Sequence, residues 1–197
     1  ASCNGVADGT ATANGITGGN GINSFSWNTT PVQTTNPAIG LAAGNYTVTV
    51  TDQKGCFTTR DTTVLEPDAL LIASMSMDSA SCNGVADGTA TANGITGGNG
   101  INSFSWNTTP VQTTNPAIGL AAGNYTVTVT DQKGCFTTRD TTVLEPLLLV
   151  IDTAFQDSVS CNGLFDGSAS VAVSGGNGIY SYLWSDGQTT ATASNLT

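Results

Sequence analysis

The chain has 197 residues, a formal net charge of −10 and no histidine; charged residues make up only 9% of it. Four basic residues (Lys54, Arg60, Lys133 and Arg139) cannot form the basic stripe that nucleic acid or an anionic membrane surface requires, and no apolar run reaches the roughly 18 residues of a bilayer-spanning helix. The commonest general base and zinc ligand is missing, while 39% hydrophobic content argues against disorder.

In chain order, Cys3-Asn4-Gly5 and Asp8-Gly9 open a polar loop, and Gly18-Gly19-Asn20-Gly21 marks a turn. Asn14-Gly15 reads as a β-bulge. Phe25 and Trp27 alternate on one strand face. The stretch Tyr46-Thr47-Val48-Thr49-Val50-Thr51 puts Tyr and two Val on one side and three Thr on the other. Thr suits the outer side, being β-branched and content in water. Asp52-Gln53-Lys54-Gly55 then turns the chain into Cys56 and a last strand ending near Pro67.

The pattern then recurs. Ala1 to Pro67 is identical to Ala80 to Pro146, a period of 79 residues. A diverged third copy begins near Ser160 with Cys161-Asn162-Gly163 and stops at Thr197, about halfway through. We read the chain as a segment of a longer array. In the third copy Ala169, Val171 and Val173 alternate, Tyr180, Tyr182 and Trp184 share a strand face, and Ser185-Asp186-Gly187 is a tight-hairpin signal. Apolar runs after the prolines, Leu70-Leu71-Ile72 and Leu147 to Ile151, read as the first strand of the following domain. Domains are then expected at 1–67 (lacking a first strand), 68–146 (complete) and 147–197 (lacking closing strands). Short alternating strands without a helical stripe predict an all-β protein of tandem immunoglobulin-like antiparallel β-sandwich domains in an extended array.

Five cysteines accompany a modest core, as in disulfide-braced extracellular domains. The favoured pairing joins Cys3 to Cys56 and Cys82 to Cys135, leaving the partner of Cys161 outside the chain. A rival joins Cys56 to Cys82 across the domain join, and the spacing alone leaves it open. Without CxxC spacing or histidine, metal binding by these cysteines is not expected.

Trp27, Trp106 and Trp184 are expected in the core, and Tyr46 and Tyr125 at tyrosine corners. Asp8, Asp87 and Asp166 read as turn residues; calcium is the lesser reading, because the loop offers two side-chain oxygen donors at most. No pair of groups suits nucleophilic or glycosidic catalysis, so no enzyme and no cofactor are expected.

The ordered string Cys3-Asn4-Gly5-Val6-Ala7-Asp8-Gly9, Gly18-Gly19-Asn20-Gly21, Trp27, Leu41 to Asp52 and Gly55-Cys56 resembles the SprB repeat of very large surface adhesins of gliding bacteria. The resemblance implies export through the type IX system, display outside the outer membrane, and adhesion during gliding motility. Neighbouring repeats are the expected partners, with surface polysaccharide or lateral copies as further ones. Thr62, Ser79, Thr141, Thr153 and Ser158 follow aspartate in the Asp-Ser/Thr-x pattern that such bacteria O-glycosylate. The resulting expectation is a stalk filament, with multivalent carbohydrate binding by the repeats as the alternative.

Overall fold

The computed structural model describes the backbone of residues 1–197 and every side chain except those of Asn23 and Asn102. The described residues contain fourteen β-strands and no helix.

The first copy holds β1 (Gly9–Ala11), β2 (Ile22–Trp27), β3 (Ala38–Leu41), β4 (Gly44–Asp52) and β5 (Phe57–Val64). The middle copy holds β6 (Leu71–Asp78), β7 (Gly88–Thr96), β8 (Ile101–Trp106), β9 (Ala117–Leu120), β10 (Gly123–Asp131) and β11 (Phe136–Val143). The third holds β12 (Val150–Asp157), β13 (Gly167–Ser174) and β14 (Thr192–Leu196). Sheet orders are β1-β3 and β2-β4-β5, then β6-β7-β9 and β8-β10-β11, then β12-β13-β14, and the registered pairs are antiparallel. This division, with the first, second and fourth strands in one sheet and the third, fifth and sixth in the other, is the immunoglobulin-like arrangement.

The chain falls into two compact units, and both draw on the middle copy. Residues 1–74, 92–113 and 127–139 form one; residues 75–91, 114–126 and 140–197 form the other.

In the first unit the core lies between the two sheets of the first copy. Ala11, Ala38 and Leu41 from β1 and β3 cluster with Trp27, Val48, Val50 and Val64 from β2, β4 and β5. Every second residue of β4 faces inward, so Val48 and Val50 stack beside Trp27 and Phe25 across the β2–β4 register. Trp27 is 1% exposed, and its indole N–H donates to the Thr35 carbonyl at 3.0 Å, which removes the cost of burying that donor. Tyr46 donates its hydroxyl to the Ala42 carbonyl at 3.0 Å and closes the corner before β4. The first unit also holds Trp106, buried on β8, and Val127 and Val129, buried on β10.

In the second unit Tyr125 makes the same corner bond to Ala121, also 3.0 Å. β12, β13 and β14 form one sheet there. The segment Tyr180 to Trp184 corrects the sequence expectation, because it is not a strand. Its counterparts β2 and β8 hydrogen-bond to β4 and β10, and these 197 residues hold no third segment of that kind. Trp184 is consequently half-buried, although its indole still donates to the Thr190 carbonyl at 2.8 Å.

Identical sequence gives different strands. Residues 9–17 contribute a three-residue β1, whereas the same letters at 88–96 form the nine-residue β7. β6 lies beside β7 in its sheet and supplies the ladder partner that β1 lacks. Substituting Tyr125→Phe removes only the corner hydrogen bond. It should lower stability by about 1 kcal/mol, read as a fall in the urea midpoint with an unchanged slope.

Candidate functional site

The features that sequence analysis left unassigned converge where one copy meets the next. In the first unit the loop Ser2 to Gly5 is held from both sides. On its own copy, Glu66 accepts the Gly5 N–H at 2.6 Å and the Pro67 carbonyl accepts the Asn4 amide at 3.1 Å. Asp8 accepts hydrogen bonds from the Ser2 N–H at 2.7 Å and from the Ser2 hydroxyl, which fixes the loop's start. These bonds give the Asp-Gly aspartate a structural task and hold its carboxyl below the usual range, the Ser2 hydroxyl first and the Ser2 N–H second.

On the following copy, Asn99 donates its side-chain amide to the Ser2 carbonyl at 2.9 Å. Asn99 is itself held by Asp131, which accepts the Asn99 N–H at 2.8 Å and its side-chain amide at 3.0 Å. The other oxygen of Asp131 accepts the N–H groups of Lys133 and Cys135 at 2.8 and 2.9 Å. One carboxylate thereby ties the Gly-Gly-Asn loop to the hairpin turn that carries Cys135.

Cys3 is disulfide-bonded to Cys135, with Cα atoms 5.7 Å apart and a sequence separation of 132. This corrects the expected pairing. Neither Cys3–Cys56 nor Cys82–Cys135 forms, and the rival Cys56–Cys82 does not form either. Cys56, Cys82 and Cys161 are exposed thiols. The reason is where the loop docks: Asn99 and the Glu66-Pro67 segment set Ser2-Cys3 against the next copy's hairpin turn.

The join packs against a glycine pair. Gly98 donates its N–H to the Asp68 carbonyl at 2.8 Å, and a Cβ on Gly97 would lie 2.0 Å from the Ala69 carbonyl oxygen. Only a residue without a side chain lets the join pass there. Arg139 adds hydrogen bonds to the Ile72 and Ala73 carbonyls of β6.

The first copy is an internal control, since its hairpin turn has no such loop over it. Asp52 makes the same bonds to Asn20, Lys54 and Cys56, yet it is half-buried where Asp131 is 1% exposed. Those bonds, led by the Asn20 N–H, pull the Asp52 carboxyl down to about 2. For Asp131 burial is the largest influence and acts upward. The N–H and amide of Asn99, with the Cys135 and Lys133 N–H groups, outweigh it and leave the carboxyl below its ordinary value.

The second unit repeats the arrangement with diverged residues. Gly84 donates to Glu145 at 2.7 Å, Asn83 to Glu145 and the Pro146 carbonyl at 3.0 and 3.2 Å. Gly176 donates to the Leu147 carbonyl at 2.8 Å, and Asn177 donates its amide to the Ser81 carbonyl at 3.1 Å. Sequence reasoning passed over Asn99 and Asp131. The signal was available, because the third copy keeps Gly175-Gly176-Asn177 while its strands drift.

The candidate modification positions are dispersed. Thr62, Ser79, Thr153 and Ser158 are exposed and Thr141 is half-buried. Among the described residues no three His, Cys, Asp or Glu side chains gather as a metal site.

Residues 153–189 match the family model described as the SprB repeat. No curated protein matches the chain. Among solved structures, the chain is similar to the N-terminal eight immunoglobulin domains of Down Syndrome Cell Adhesion Molecule isoform 1.30.30. That match has 14% identity and a TM-score of 0.32, and it covers 96% of this chain and 32% of that one.

Two predictions come from this joint. Residues 55–60 and 134–139 yield the same tryptic hexapeptide, so variants must identify the partner of Cys3. Non-reducing mass mapping should find the cross-link intact in Cys56→Ser and absent in Cys135→Ser. Acid should also loosen the joint. A carboxyl whose folded pKa lies below its unfolded value of about 3.9 contributes stability that is present above that value and lost as pH falls toward the folded one. The melting midpoint should therefore fall as the pH drops below about 4, and Asp131→Asn should flatten that acid limb.

Proposed function

We propose that this SprB-type repeat array is a non-catalytic structural segment of a large cell-surface adhesin, displayed outside the outer membrane and serving adhesion and gliding. Its task is to hold a binding region away from the cell and to transmit pull. The repeat boundaries we adopt are 1–67, 68–146 and 147–197, and the partners of each repeat are its neighbours.

The observation that carries this reading is the disulfide that leaves one copy and closes on the next. A brace inside one domain protects that domain alone. A brace across a join makes adjacent copies share load through a covalent bond. Sparse charge of net negative sign keeps such a surface soluble and disfavours lateral sticking. The buried carboxylate hub serves the joint.

Pulling the chain by its ends tests the reading. With the disulfide intact, the residues between Cys3 and Cys135 cannot extend. Reduction should release the 132-residue span, about 450 Å of added contour at roughly 3.4 Å per residue. An unchanged contour on reduction would rule out a load-bearing cross-link.

A further inference from the structure

We infer that the cross-repeat disulfide is a propagating element: Cys82 and Cys56 are the open halves of further staples, each taking the complementary cysteine of an adjoining copy of the repeat. Cys82 would bond the cysteine after the hairpin-turn glycine of a following copy. Cys56 would bond the Cys-Asn-Gly cysteine of a preceding one.

Three observations carry this. The first is that both halves already exist in bonded form. Cys82 stands in the same 67-residue sequence as Cys3, and Cys56 in the same sequence as Cys135. The second is the docking around Cys82. The Ser81 carbonyl accepts the Asn177 amide just as Ser2 accepts Asn99, and Glu145 holds Gly84 as Glu66 holds Gly5. The loop is thus already seated on the third copy, although that copy has drifted in sequence. The third is that Cys56 and Cys82 are both exposed and not bonded to each other, so neither is spent within the chain. The inference rests on this geometry and holds whether or not the array bears load.

The chemistry is thiol–disulfide exchange with a disulfide-carrying oxidant. The Cys82 thiolate attacks the oxidant's disulfide and one oxidant sulphur leaves as thiolate. The incoming copy's cysteine thiolate then attacks the Cys82 sulphur and expels the second. Two protein thiols lose two electrons and two protons, and the oxidant becomes a dithiol.

Propagation has a mechanical result. Cys135 and Cys161 are separated by only 26 residues, as are Cys56 and Cys82. With every staple closed, the shortest covalent path along the array alternates a disulfide with one 26-residue stretch. An unfolded array would then gain little length.

The test adds one more copy of residues 1–79 before Ala1. The added copy carries Thr58→Ser, so that its cysteine hexapeptide is lighter, and the original part carries Cys3→Ser and Cys135→Ser to remove the existing bond. After oxidation with glutathione disulfide and alkylation, the added copy's Cys3 peptide should be linked to the unmarked hexapeptide of Cys56. Linkage to the marked hexapeptide, or alkylation of both, overturns the inference. Should these substitutions prevent folding, the extended chain with all seven cysteines serves. With only Thr58→Ser in the added copy, it should show two disulfides, three reactive thiols and the marked hexapeptide alkylated. One disulfide with five reactive thiols, or a bonded marked hexapeptide, overturns it.

Discussion

The seating of the Ser2 to Gly5 loop against the next copy's hairpin turn is the constraint on which the joint depends. It brings Cys3 to Cys135, covers Asp131, and engages Asn99. None of these follows from either copy alone. The loop is fastened to its own copy by Glu66 and Asp8 and presents the Ser2 carbonyl outward. Without those fastenings the disulfide would have to order a free tail, at an entropic cost of roughly 1–2 kcal/mol per residue. The hydrogen bonds therefore preorganise the loop that the covalent bond then fixes.

The comparison between identical copies isolates what neighbours contribute. Asp52 and Asp131 have the same sequence context and the same hydrogen bonds, and only the second is covered. Residues 9–17 and 88–96 differ in strand length because only the latter have β6 beside them. Local propensity is equal by construction, so tertiary context alone accounts for both differences. The strand that lengthens 88–96 belongs to the middle copy itself, whereas the cover on Asp131 comes from the copy before it.

Much of the fold was legible in the letters. Alternation in Tyr46 to Thr51 identifies β4 and its inward face, and the tyrosine after Leu-x-x-Gly-x marks the corner hydroxyl bond. Gly-Gly signals and Asp186-Gly187 place turns, whereas Asp8-Gly9, Asp87-Gly88 and Asp166-Gly167, also read as turns, instead lead into strands. The disulfide partner was not legible, because a count of cysteines carries no information on which copy supplies each half. Pairing within a copy assumes that a domain braces itself, and the docked loop breaks that assumption. The strand Tyr180 to Trp184 failed for a related reason: a pleated pattern needs a hydrogen-bonding neighbour, and a pattern cannot report whether one is there.

A bond that spans 132 residues also changes what a protease can do to the molecule. One nick anywhere between Cys3 and Cys135 severs the peptide backbone yet leaves the two fragments attached through sulphur. A chain built this way tolerates scission of its surface loops without shedding what lies beyond them.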